Sequence, residues 1–483
     1  MIFSEIVLSE IALLLAITLP AGIAYGLRFA CFTRNTYFFY ALTLCGGLSL
    51  WGYLLLYPET TTAHTSVISG LLYQDVLSNT LSFFYTFSTL MLITLIPRHQ
   101  RKPKLLSTIL IFTSLITAFF HANHVVLLGI LWMLSVMLFI RHSSGYQQYL
   151  RAQSTALILF AIAVSCVYLQ QQSIFPTTRW TTVDLSTLSP NASLGIAALF
   201  LISGSLRQGL FPFHSALKDI VNRCAFPILL LTTSANMGLY IVIRFALPLI
   251  DQAPAWFHSG VMVWISLVFL ALAVSVLTSN NLRKFYVCMM SIQSALIFVG
   301  YLQADSLGEI GALLQWVVAL LAGSGFGLCV WMFEIRTGVR RLTKSTVCFD
   351  KMPRLAILFL VFGMCIVDVP GTLGFVGEDL LIHAVLKKSI LEGLTLLIAM
   401  ACTSIAVYRC YVQLFLGRKL GSNELSADIV PREAYAFVAI LTLLVGLGCY
   451  PKLITQMAGK TTFHEEQVRQ TEPSDHLAYS EQT

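Results

Sequence analysis

Apolar residues run through this chain in long unbroken stretches; they neither alternate nor confine themselves to one helix face. Read in windows of about 19 residues, the pattern predicts about fourteen membrane-crossing helices. Approximate limits are 6–27, 37–57, 77–97, 105–120, 123–140, 152–170, 191–210, 225–249, 259–279, 285–303, 308–333, 355–386, 390–417 and 432–450. A helix needs about 20 apolar residues to cross the hydrocarbon core, and most of these stretches meet that length. The twelfth is longer and interrupted. Lipid admits only helices or closed barrels, and the strict alternation of a barrel strand is missing. The fold class expected is therefore all-α polytopic membrane protein, with residues 1–450 as one transmembrane unit and 451–483 as a polar tail, disordered or partner-binding.

Composition agrees and narrows the functions. Of 483 residues, 57% are hydrophobic and 11% charged, against roughly 25% charged in a soluble domain, so a water-soluble enzyme is excluded and no catalytic domain stands outside the bilayer. The formal charge of +7 comes from loops and does not point to nucleic acid. Arg28, Arg34, Arg98, Arg101, Lys102, Lys104, Arg141, Arg151, Lys218, Arg223, Arg283, Lys284, Arg336, Arg340, Arg341, Lys344, Arg418 and Lys419 all follow odd-numbered spans, whereas Glu59, Asp75, Asp251, Asp305 and Glu309 follow even ones. By the positive-inside rule the odd exits are cytoplasmic and both termini lie outside, in a cell inner membrane. Residues Met1 to Glu5 bring no basic residue before the first apolar run, so a signal peptide is not expected. The 11 cysteines, Cys31, Cys45, Cys166, Cys224, Cys288 and Cys329 among them, form no CxxC pair and read as small apolar residues, with no metal site or cofactor expected. His121 and His124 are read as capping a short outer turn.

Ionisable residues at membrane depth are costly and functional by default. One cluster closes the seventh span, Arg207-Gln208-Gly209-Leu210-Phe211-Pro212-Phe213-His214, followed by Lys218. Pro212 ends or kinks the helix, and broken helices beside charge are how transporters place ion sites; the alternative is that Arg207 snorkels to the interface. A second cluster lies in the twelfth span, from Asp368 through Pro370, Gly371 and Gly374 to Glu378, Asp379 and His383. There Asp379 and His383 share a helix face at i, i+4, and adjacent carboxylates can hold a proton between them; the alternative is an interfacial turn with solvated acids near Lys387 and Lys388. Two broken helices, 7 and 12, about 160 residues apart predict two inverted repeats and a transporter fold.

The stretch Leu206 to Leu217, then Asn236-Met237-Gly238 and Arg244-Phe245, resembles the signature of antiporter-like, proton-conducting membrane subunits: the large membrane subunits of complex I, the Mrp antiporters and the membrane subunit of the DAB inorganic-carbon transporter. Asn281-Leu282-Arg283-Lys284 and Pro370 to Leu380 resemble two further motifs of that family. The resemblance covers nearly the whole chain and implies a fourteen-span core and an ion path of charged residues near mid-membrane. Matched onto that path, Arg207 stands for the seventh-span lysine, Asn236 for the eighth-span residue, Gln315, Ala319 and Gly323 for the eleventh-span histidine and lysine, and Glu378 for the twelfth-span acid. The fifth-span glutamate is absent, with Trp132 and Met133 in that region. Arginine does not deprotonate in proteins, and Asn236 and Gln315 do not titrate, so a standard proton relay is not complete here.

What the resemblance implies is a subunit without chemistry of its own that conducts or gates protons, or sodium ions, inside a larger complex. Arg207, Lys218, Asn236, Gln315, Glu378, Asp379 and His383 would form the path, with His214 as a relay that titrates near neutral pH. The Asn236-Met237-Gly238 triplet is most like that of the DAB membrane subunit, which implies inorganic carbon uptake with a peripheral zinc subunit resembling carbonic anhydrase as partner. The alternatives are a non-conducting scaffold, motivated by the missing charges, and a proton-pumping subunit of a complex-I-like quinone oxidoreductase.

Overall fold

The computed structural model describes residues 2–29, 36–56, 71–97, 100–170, 188–210, 212, 215–342, 349–416, 428–452 and 455. These fold into helices throughout. In chain order they are α1 (Ile2–Phe29), α2 (Thr36–Leu56), α3 (Val76–Leu95), α4 (Pro103–His121), α5 (Val125–Arg141), α6 (Gln147–Gln170), α7 (Pro190–Gln208), α8 (Ser215–Ile220), α9 (Phe226–Ser234), α10 (Met237–Ile241), α11 (Leu247–Gln252), α12 (Ala255–Leu277), α13 (Leu282–Tyr301), α14 (Ser306–Thr337), α15 (Pro353–Ile366), α16 (Leu373–Lys388), α17 (Ile390–Phe415) and α18 (Pro431–Cys449). Each apolar stretch of the sequence falls on one helix or a run of them. Among the described residues nine spans are long and apolar enough to cross a membrane, and the apolar parts of α1, α2, α5 and α15 are shorter. Helices α7 and α16 meet neither standard, because they carry the polar residues of the two clusters.

Local chemistry sets the helix ends. Asp75 accepts from Ser78 N (2.9 Å) at the start of α3, and Asn281 accepts from Arg283 N and Lys284 N at the start of α13, the usual use of a short polar side chain at an N-terminus. Prolines open α4, α7, α15 and α18, where their missing N–H costs nothing. Helix α14 ends at Gly338 in the left-handed conformation.

At the centre stands α14, buried along its length and packed against α3, α9, α13, α15, α16 and α18. On the outside, α12 and α17 pack on one another and expose Val263, Leu267, Leu394, Ile398 and Ile405, an apolar exterior suited to lipid. Both expected breaks are present. The seventh span stops at Gln208, turns at Gly209 (φ 73°) and resumes as α8, with Pro212 exposed in the turn. The twelfth splits into α15 and α16 around Pro370 and Gly371 (φ 95°).

A third break was not legible in the sequence, which reads 225–249 as one uninterrupted span. Asn236 takes a left-handed conformation (φ 48°) between α9 and α10, and a π-helical turn, Val242–Ala246, follows. Asparagine is one of the few residues other than glycine that visits this region. The two outer histidines also differ from expectation. His121 is buried in the last turn of α4, hydrogen-bonded to Asn79 Oδ1 (3.0 Å) and stacked on Trp51; His124 precedes α5 but makes no side-chain cap. Cys31, His214 and the tail beyond 455 lie outside the described residues, as does the side chain of Lys218.

Candidate functional site

Many of the buried polar side chains fall into three hydrogen-bonded groups that follow one another along an axis, successive groups meeting at neighbouring residues of one helix. The axis begins at Arg207, in the last turn of α7 and 8% exposed. Its guanidinium donates to Gln153 Oε1 on α6 (2.9 Å), to Ser135 Oγ on α5 (2.8 Å) and to Met237 Sδ on α10 (2.9 Å), and lies 5.6 Å from the centre of the Trp132 ring. Counting from Ser135 to the end of α5 and from the start of α6 to Gln153, at 1.5 Å per residue, the group sits roughly 9 Å inside the helix ends. It is therefore not a snorkelling interfacial arginine. No carboxylate pairs with it among the described residues. A buried charge is tolerable only where dipoles replace water, and here an amide, a hydroxyl, a thioether and an indole face do so. The Trp132 Nε1 donates to the same Gln153 oxygen (3.4 Å).

The next residue, Gln208, carries the axis onward. Its amide donates to Asn236 Oδ1 (2.7 Å) and Ser294 Oγ (2.7 Å), and Ser294 donates to Asn236 Oδ1 (2.9 Å). All three are buried. This contact exists because α7 and α10 touch at Gly204 and Gly238: a methyl on Gly238 would overlap the Gly204 carbonyl and the Gln208 backbone nitrogen.

Across α13, the neighbour of Ser294 continues it. Gln293 accepts from Gln315 Nε2 on α14 (2.7 Å) and donates to the Ile366 carbonyl at the end of α15 (2.7 Å). Gln315 Nε2 also donates to Asp368 Oδ2 (2.9 Å). Asp368 is 6% exposed and sits in the twelfth-span break with φ 61°. Glu378 is half-buried on α16, one turn beyond Gly374, against which Asp368 Oδ1 packs.

The structure thus joins Arg207, Asn236, Gln315 and Glu378, four of the residues singled out from the sequence. It separates two others. Asp379 and His383 pair with each other (3.4 Å) on the outward face of α16, their side chains 56% and 69% exposed. Asp379, next to Glu378 in the chain, is exposed, and the acid buried in the twelfth-span break is Asp368. Sequence reasoning also passed over Gln153, Gln208, Gln293 and Ser294, whose side chains carry no charge to mark them. The signal available for Asp368 was its place two residues before Pro370.

Two ion networks lie away from this axis. Arg283 chelates Glu334 (2.6 and 2.7 Å), which Arg340 also contacts (2.6 Å), and donates to the carbonyls of Val221 and Cys224. At the opposite helix ends Arg244, in the π-helical turn, bonds Asp75, Ser78 and Tyr240.

Comparison with known proteins places this architecture. The chain is 26% identical over 284 residues to NAD(P)H-quinone oxidoreductase chain 4 1 of Trichormus variabilis, covering 56% of this chain and 54% of that one. To NADH-quinone oxidoreductase subunit M of Rhodobacter capsulatus it is 23% identical over 287 residues, 58% and 55% of the two chains. The chain spans about half the length of these curated relatives. In fold it is similar to a chain of the Mrp complex from Dietzia sp. DQ12-45-1b (TM-score 0.83, 15% identity, 93% of this chain and 96% of that one). It is also similar to a chain of respiratory complex I from Thermus thermophilus (TM-score 0.78, 17% identity, 92% and 98%). The family described as NADH:quinone oxidoreductase/Mrp antiporter, transmembrane, matches residues 78–405, a stretch that contains every residue of the axis, and the chain belongs to that family.

Proposed function

We propose that this protein is a multi-pass subunit of a larger complex in a cell inner membrane and that it moves a monovalent cation, proton or sodium, across the bilayer. The observation that supports this reading is the succession of buried polar groups from Arg207 to Asp368, because polar and ionisable groups at membrane depth are expensive to keep without such a use. The two ends of the axis have opposite character. Arg207 cannot release its proton, so it acts as a fixed positive charge that repels a cation from its end. Asp368 and Glu378 attract one. Between them Gln208, Asn236, Ser294, Gln293 and Gln315 orient water without titrating. His214 and Lys218 beyond the α7–α8 turn, and Asp379 with His383 on the outer face of α16, are the proposed exits.

The test is flux through the complex reconstituted in vesicles with an imposed pH or sodium gradient. Glu378→Gln and Arg207→Ala should each slow gradient decay by about tenfold or more, equivalent to about 1.4 kcal/mol in the barrier. If both variants assemble and conduct like the parent, the chain is a scaffold. The partner we assign is a peripheral zinc protein resembling carbonic anhydrase, in a system for inorganic carbon uptake. The likeness of Asn236-Met237-Gly238 to the DAB membrane subunit supports this, and in this chain those residues hold Arg207 and the α7 contact. Solubilising the complex and measuring its zinc content and subunits decides it: quinone-reductase subunits without a zinc protein would select the complex-I-like alternative.

A further inference from the structure

Three acids are buried among the described residues: Glu334, Asp368 and Glu433. Glu334 faces Arg283 and Arg340, and Glu433 faces Arg336 (2.5 Å). Asp368 pairs with no cation among the described residues. Its Oδ2 is satisfied by Gln315, but among the described residues Oδ1 has no hydrogen-bond partner, and neither has Gln315 Oε1. Gln315 is fully buried, and its other amide atom is already shared between Gln293 and Asp368. Both unpartnered oxygens therefore accept only.

Both lie against α16. A methyl on Gly374 would overlap Asp368 Oδ1, and one on Gly377 would lie 3.1 Å from Gln315 Oε1. Gly374 and Gly377 are one turn apart on a single face of α16, so the two oxygens lie against the same bare strip of helix. The carboxyl end of α15 stands two residues before Asp368, and a helix C-terminus adds partial negative charge. Asp368 is held in a left-handed conformation that costs a non-glycine residue energy, which fixes its carboxylate in this position. A buried carboxylate with no charged side chain opposite it among the described residues, beside an unused amide oxygen, is a setting that favours a bound cation.

We infer that Asp368 and Gln315 form the binding site for one small monovalent cation: a proton carried on Asp368 Oδ1, or a sodium ion held between Asp368 Oδ1 and Gln315 Oε1. This deepens the ion-translocation reading and rests on it for its purpose, although binding itself is measurable without transport. The titratable neighbours are Glu378 on α16 and Cys365 on α15, while α13 and α14 bring Gln293 and Gln315.

The experiment is infrared difference spectroscopy of the purified full-length complex at equilibrium, titrated first with acid in sodium-free buffer and then with NaCl against choline chloride. It is run on the parent, on Asp368→Asn and on Gln315→Leu, each also in a Glu378→Gln background that removes the neighbouring acid's band. A carboxyl C=O band that follows pH, ignores sodium and vanishes in Asp368→Asn identifies the proton. A saturable sodium response of the carboxylate bands that vanishes in Asp368→Asn, and needs about tenfold more sodium in Gln315→Leu, identifies sodium. Spectra of Asp368→Asn that match the parent in both titrations overturn the inference. Should Asp368→Asn misfold, Gln315→Leu decides: an unchanged midpoint in both titrations overturns it as well. Loss of flux in Arg207→Ala and Glu378→Gln with no binding at Asp368 sinks this site and leaves the ion path standing. Binding at Asp368 with unaltered flux in those variants does the reverse.

Discussion

Gly238 is the residue on which the geometry of the axis depends most directly. With no side chain it lets α10 lie against Gly204 and the Gln208 backbone nitrogen, which brings Asn236 and Met237 to Gln208 and Arg207. Gly238→Ala forces backbone apart in a packed interior and should destabilise the protein by ~1–3 kcal/mol, read as a lowered unfolding midpoint in detergent, with flux falling further than stability. Arg207 was legible in the sequence because a charge in an apolar run is conspicuous. Gln153, Gln208, Gln293 and Ser294 were not, because an uncharged polar side chain in a helix has no sequence mark that separates a solvated face from a buried contact. Only the packing of α6, α7, α13 and α14 shows that these side chains meet. Asp368 was visible as a letter but not as a buried group, since nothing in Val367-Asp368-Val369-Pro370 says which side of the break faces inward.

Between elements, the strongest single tie at one end of the bundle is the Arg283–Glu334 pair, which clips α13 to α14 and, through the Val221 and Cys224 carbonyls, to the segment before α9. Both side chains are almost wholly buried. Breaking such a pair from one side leaves a stranded charge, so Glu334→Ala should lower stability by ~3–5 kcal/mol. Replacing both partners, Arg283→Met with Glu334→Leu, should recover most of that loss in the same thermal melts; no recovery would mean that Arg340 or the carbonyls carry the contact. At this scale the sequence predicts the breaks at Pro212 and Pro370, where proline and glycine act locally. It does not predict the one at Asn236, whose left-handed turn is stable only because Gln208 and Ser294 bind its side-chain oxygen. Local composition there, Ser234-Ala235-Asn236-Met237, permits an uninterrupted helix.

For the whole molecule, hydropathy was enough to predict an all-helical membrane fold, because a helix must be apolar over about 20 residues to cross lipid, and nine helical stretches among the described residues meet that standard. Orientation rests on the loop charges alone, and it predicts that an epitope inserted between Ser144 and Gly145, in the α5–α6 turn, is reached by antibody only after the cells are opened. One inserted between Ala253 and Pro254, in the turn before α12, should be reached in intact spheroplasts; the opposite pattern would invert the whole assignment. The unpaired state of Arg207 bears on how any such measurement is made. A positive charge held about a third of the way through a ~30 Å hydrocarbon layer senses roughly a third of the voltage across it, about 0.7 kcal/mol for every 100 mV. Among the described residues no acid pairs with it to cancel that force. The packing of α7 against α5, α6 and α10 is therefore under electrical load in an energised membrane and relaxed in detergent, so the position of α7, and the conductance that depends on it, should vary with membrane potential.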